Sequence, residues 1–161
     1  MANLTNVIRR HLELSDSDPA QFHDERLSSF ITVDTSSIIF PVGRSIPSEM
    51  IWPMTFNRDA VGPWLEHGPY AFIADVFTSL HLLMIMPLLR HVSVTLSTVV
   101  FTKAKQNTAM KVRTRVMRIT QDVAFLRAEF VDAQDQSMCY ASVEHTKAYI
   151  SAKPRSQPSK L

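Results

Sequence analysis

Asp75 is the residue whose surroundings most invite chemistry. From Pro69 to Met86 the chain has no internal glycine, and Ala71, Phe72, Ala74, Leu80, Leu82, Leu83, Met84 and Met86 supply apolar surface nearly all round. Asp75 is the only acidic side chain in that stretch. An ionisable group in such a setting is expensive unless it is paired or functional. A carboxylate held there can act as a general base toward water or as a nucleophile toward a carbonyl. The alternative is an aspartate satisfied by a partner group or facing solvent at a seam between chains. Cys139, between Met138 and Tyr140-Ala141, sits in strand-like surroundings and reads as buried filler rather than a nucleophile. His145 has acidic and basic neighbours but no metal-ligand spacing to another His, Cys or Asp, so no metal is expected.

These groups need elements to position them. Pro69 is well placed to open a helix and Pro87 to end it, which predicts a buried helix over Pro69–Met86. Before it, Thr5 to Leu14 reads as a short capped helix, Leu27 to Val42 as interrupted strand material, and Glu49 to Phe56 as a strand. Asn57 to His67, with Gly62-Pro63, reads as a loop. After the helix everything is strand-like. His91 to Thr102 is rich in β-branched residues, and Met110 to Ile119 alternates with Lys111, Arg113 and Arg115 on one face. Val123 to Asp132 alternates again, Asp132 to Asp135 makes a turn, and Met138 to Tyr149 closes the set. A helix apolar on most sides needs a sheet wrapped around it, so the predicted class is α+β. The divisions are residues 1–26 (helix and linker), 27–150 (the domain) and 151–161 (a flexible tail).

Composition bounds the function. With 161 residues, 45% hydrophobic and 20% charged, the chain suits one soluble globular domain. A net charge of +2 is too small to suggest nucleic acid as a partner. A single cysteine excludes an internal disulfide. The most apolar run, Leu80 to Leu89, is about half the length a bilayer requires, so no membrane span is expected. The polar tail ends in Ser159-Lys160-Leu161, which reads as an address taken up by a peroxisomal import receptor, or by that of a related microbody such as a glycosome. A mitochondrial presequence at the amino terminus is the weaker reading.

The order of short motifs resembles that of hotdog-fold proteins, specifically the small acyl-CoA thioesterases of the PaaI type. Asp59-Ala60-Val61-Gly62, His67-Gly68-Pro69, Asp75, Val92-Ser93-Val94, Phe101-Thr102-Lys103-Ala104-Lys105 and His145-Thr146-Lys147 follow one another in that family's sequence order. The resemblance covers roughly residues 45 to 150. It implies one long helix wrapped by an antiparallel sheet, a homodimer or homotetramer, and hydrolysis of a fatty or aryl acyl-CoA with no cofactor beyond the CoA of the substrate. It implies Asp75 as base or nucleophile, the Gly68 N–H as carbonyl polariser at a helix start, and Ser93, reaching in from the neighbouring subunit, with Asp59 or Asn57 holding water. His67 would orient the loop or touch substrate. Lys103, Lys105 and Arg113 would meet the CoA phosphates, although a solvated sheet edge kept soluble by charge accounts for the arginine equally well. Three positions depart from the family pattern. Pro69 stands where a second glycine is usual, Asp59 where an asparagine is, and the interval from His67 to Asp75 is one residue short, about 100° of helix rotation. The same departures suit a catalytically inactive hotdog protein that binds acyl-CoA or serves as an assembly subunit.

Overall fold

The computed structural model describes residues 31–34, 37, 48–56, 67–86 and 90–150. The expected amino-terminal helix, Asn57 to Glu66 and the tail lie outside the described residues. Along the chain come β1 (Ile31–Val33), β2 (Glu49–Phe56), α1 (Gly68–Ile85), β3 (His91–Val100), β4 (Ala109–Ile119), β5 (Val123–Asp132) and β6 (Cys139–Tyr149). Every strand pairing is antiparallel, in the order β1-β2-β4-β5-β6-β3. The sheet curls around α1, so the α+β architecture expected of the sequence is the one formed. By length and composition alone α1 could cross a membrane, with 18 residues of mean hydropathy 1.3, yet half of that stretch is buried inside the protein.

Alternation decides which side chains meet the helix. Met50, Trp52, Met54 and Phe56 of β2 are buried, as are Met110, Val112 and Thr114 of β4 and Ala124, Leu126, Ala128 and Phe130 of β5. From α1 come Tyr70, Ile73, Ala74 and Phe77, at the three- and four-residue spacing that keeps one helix face toward the sheet. Aromatic contacts fix the helix over the sheet. Trp52 stacks on Phe77 with ring centroids 4.9 Å apart, and Phe130 meets Tyr70 edge to face at 4.9 Å.

The apolar-all-round expectation for the helix needs one refinement: its buried face also carries Thr78 and His81. Thr114 Oγ1 accepts the Trp52 Nε1–H at 2.9 Å and is also hydrogen-bonded to His81 Nδ1 at 2.9 Å. One hydroxyl therefore serves two buried rings. Thr114→Val keeps the shape but removes that oxygen, and should lower unfolding free energy by about 2 kcal/mol, read from the urea midpoint. An unchanged midpoint would show that the rings find other partners.

Candidate functional site

The seam between α1 and the β6–β3 edge of the sheet holds a cluster of polar side chains. Asp75 faces it from α1, two turns along from the helix start. His145 and Lys147, two residues apart on β6, share the inward face with Val143. Ser93 joins them from β3, and a bulge is what brings it there. Ser93 pairs with Lys147, but the next matched pair is Thr95 with Thr146, which leaves Val94 as an extra residue. A regular ladder would set Ser93 on the face of Thr95. The extra residue resets the alternation, so Ser93 faces inward opposite Lys147 and Leu96 faces inward opposite His145.

The hydrogen bonds converge on one oxygen. Ser93 Oγ donates to Asp75 Oδ1 at 2.8 Å, and Lys147 Nζ donates to the same oxygen at 3.0 Å and to Ser93 Oγ at 3.1 Å. Lys147 is closed off from solvent, its side chain 2% exposed, whereas that of Asp75 is 31% exposed and Ser93 is open to solvent. Burial alone would raise the Asp75 carboxyl, but the charge and hydrogen bond of Lys147, with the Ser93 hydroxyl, hold it below the usual carboxylate range. Burial pulls the Lys147 ammonium down against the opposing pull of Asp75.

His145 stands behind this triangle. Thr78 Oγ1 donates to the Ala74 carbonyl at 2.6 Å, so its lone pair is free to accept the His145 Nδ1–H at 2.8 Å. That assigns the proton to Nδ1. Nε2 then lies 3.5 Å from Asp75 Oδ1, with no hydrogen-bond partner. Burial first, then the Lys147 charge, pushes the His145 pKa down to about 4, and the imidazole is neutral at physiological pH.

Of the residues expected from the sequence, Asp75 and Ser93 are brought into contact, but within one chain rather than across two subunits, because the Val94 bulge turns Ser93 toward its own helix. His67 is the exposed N-cap of α1, and its carbonyl accepts the Ala71 N–H at 2.9 Å. Gly68 opens the helix, exposed, with space around its α-carbon. It is seven residues from Asp75 on one helix, about 10 Å along the axis. Lys103 and Lys105 are exposed on the β3–β4 connection, which docks on the helix start through the Ala104 N–H to Tyr70 Oη at 3.2 Å. Arg113 is on the opposite face of the sheet from α1, where Arg113 Nε lies 3.4 Å from Glu49 and Nη1 3.8 Å from Glu129. It does not approach Asp75, and its strand β4 lies between β2 and β5 rather than at the expected sheet edge, so its charge meets Glu49 and Glu129 on those neighbouring strands. Asn57 and Asp59 lie outside the described residues. Among the described residues no cluster of His, Cys, Asp or Glu could hold a metal. Lys147, His145 and Thr78 complete the site but were given no role from sequence. The signal for two of them was present, since Val143, His145 and Lys147 alternate with Ser142, Glu144 and Thr146.

No family model matches the chain, and no curated protein matches it. Solved structures do. Thioesterase superfamily member 2 from Mus musculus superposes with a TM-score of 0.65 at 16% identity, covering 92% of this chain and 98% of the other. The E. coli PaaI protein of the phenylacetic acid degradation operon gives 0.61 at 11% identity over 92% and 95%. A Streptococcus pneumoniae hypothetical thioesterase, solved with coenzyme A, gives 0.59 at 10% identity over 83% and 97%. The chain has the hotdog fold. Within that fold its site is a carboxylate bound by a buried lysine and a serine.

The His145 position makes stability depend on pH. Between about 4 and the ordinary 6.5, the unfolded chain binds a proton that the folded one does not. Stability therefore rises with pH across that window and is lost as pH falls through it. His145 faces Lys147, Asp75 and His91, and Asp75, held low, adds a further loss only at more acidic pH. Urea unfolding from pH 6.5 down to 4 should show a decline on the order of 3 kcal/mol at most, flattened in His145→Gln. An equal decline in the variant would place the titrating group elsewhere.

Proposed function

We propose that the protein is an acyl-CoA thioesterase, converting a fatty or aryl acyl-CoA and water into the free acid and CoA. The observation that carries this reading is the Ser93–Asp75–Lys147 cluster. It is an ionised carboxylate, a hydroxyl within 2.8 Å of it and an ammonium bonded to both, opening to solvent on the Ser93 side. Such a group of acceptor, hydroxyl and cation can move a proton and stabilise a developing oxyanion. The likeness to thioesterase structures, one of them holding coenzyme A, supports the substrate class. The Ala104–Tyr70 contact sets exposed Lys103 and Lys105 beside the first turn of α1, a suitable place for CoA phosphates.

The same geometry supports a composite site. About 10 Å of helix separates the Gly68 N–H from the Asp75 carboxylate, too far for both to touch one carbonyl. A second copy supplying its own helix start would close that gap. β3 is the strand that invites it, an edge with Val92, Val94 and Val99 exposed and Phe101 just beyond it 61% exposed. Light scattering at micromolar concentration should give a dimer or a multiple of it, and a monomer alone would refute this arrangement. Ser159-Lys160-Leu161 supports a peroxisomal or related compartment on sequence grounds, which a fluorescent fusion with and without the tripeptide tests.

Asp75→Asn should lower thiol release from an acyl-CoA panel by at least about 100-fold, with the fold intact by circular dichroism. Turnover within a few-fold of the unaltered protein would remove Asp75 from the chemistry. One observation favours the inactive alternative: Lys147 on Asp75 Oδ1 weakens that carboxylate as a base. CoA binding without thiol release from any acyl-CoA would establish that alternative.

A further inference from the structure

We propose that Ser93 Oγ, rather than the Asp75 carboxylate or a water molecule, attacks the thioester carbonyl and carries the acyl group as a seryl ester. Asp75 accepts its proton and Lys147 stabilises its oxygen. The inference deepens the thioesterase reading and rests on it.

Three features of the site lead to this assignment. The first is direction. Ser93 already donates its hydroxyl proton to Asp75 Oδ1 at 2.8 Å while receiving a hydrogen bond from Lys147 Nζ at 3.1 Å, the arrangement needed to take a proton off an oxygen and hold the charge left behind. Lys147 also fixes the base, through its 3.0 Å bond to the same carboxylate oxygen. The second is access. Ser93 is the exposed member of the triangle, whereas Lys147 is sealed behind it. The bulge at Val94 has the effect of turning Ser93 inward to this position.

The third is the partition of the intermediate. A tetrahedral adduct expels its better leaving group. Carboxyl groups ionise near 3.9 and thiols near 8.5, so an adduct of Asp75 would mostly return the carboxylate and regenerate the thioester. A serine alkoxide is more basic than a thiolate, so an adduct of Ser93 collapses forward.

The steps balance without a further reactant. The Ser93 proton passes to Asp75 Oδ1 as the Oγ–carbonyl bond forms. The C–S bond then breaks, and the CoA sulfur leaves with the proton from Asp75. Water gives a proton to Asp75 and attacks the ester; Asp75 returns the proton to Ser93 Oγ as the acid departs.

The test combines three measurements on the full chain. Decanoyl-CoA and benzoyl-CoA are mixed with protein, quenched in acid within the first turnover, and the digest is read by mass spectrometry. An acyl group on the Ser93 peptide, stable to neutral hydroxylamine, is expected. Ser93→Ala should lose it, with thiol release down by at least about 100-fold. An alkyl fluorophosphonate should label Ser93 in the unaltered protein, and Lys147→Met, matched in length, should slow labelling at least about tenfold. After many turnovers in water enriched in oxygen-18, Asp75 should carry none. Thiol release with oxygen-18 in Asp75, or with Ser93→Ala retaining more than a tenth of the rate, overturns the inference while the thioesterase reading stands. No thiol release but fluorophosphonate on Ser93 keeps the activated serine and refutes the thioester substrate. Neither release nor labelling overturns both.

Discussion

The buried ammonium of Lys147 is the constraint around which the site is organised. A lysine sealed between a helix and a sheet must give up water, and its charge persists only where close acceptors replace that solvation. Here Asp75 and Ser93 do so, at 3.0 and 3.1 Å. Three elements are tied by those bonds, since Asp75 belongs to α1, Lys147 to β6 and Ser93 to β3. Removing one partner of such a pair costs more than the pair contributes, because the remaining charge stays buried. Losing either the carboxylate or the lysine singly therefore lowers stability, although the core that Trp52, Phe77, Tyr70 and Phe130 build does not depend on them.

The backbone supports the same arrangement at Val94. One extra residue in β3 changes which face Ser93 occupies, and the ladder to β6 resumes at Thr95 with Thr146. Without it Lys147 would lack its second acceptor. The polar cluster and the bulge thus depend on each other, one supplying the energetic reason for the inward serine and the other its geometry. His145 extends the cluster backward to Thr78. Its low pKa keeps it neutral, so no second cation competes with Lys147 for the carboxylate.

Much of this was legible in the residues. Glu49–Phe56 and Val123–Asp132 form strands with the expected bounds, each a short apolar run closed by polar or turn-forming residues. Asp75 stood out as a lone carboxylate in an apolar helix, and it does need partners. Lys147 was harder to see. A lysine in an alternating strand reads as a solvent-facing group, although its parity with Ala141 and Val143 sets it on their buried face rather than on that of Glu144. Ser93 was noticed for its place between valines, but simple alternation could not reveal a bulge. Arg113 shows the reverse case: alternation with Val112 and Thr114 placed it on the outer face, where Glu49 and Glu129 surround it.

The position of Ser93 on β3 couples chemistry to assembly. β3 pairs with β6 on one side and with no strand on the other among the described residues. Ser93 and Asp75 lie along the inner face of that same strand, partly open to solvent. A second chain pairing with this edge would extend the sheet and shield the cluster. In the lower dielectric that would result, a charge developing on Ser93 Oγ in the proposed acyl transfer would strengthen its bond to Lys147. The isolated chain holds the proton-transfer groups in place, and the surroundings that make them effective depend on what covers β3.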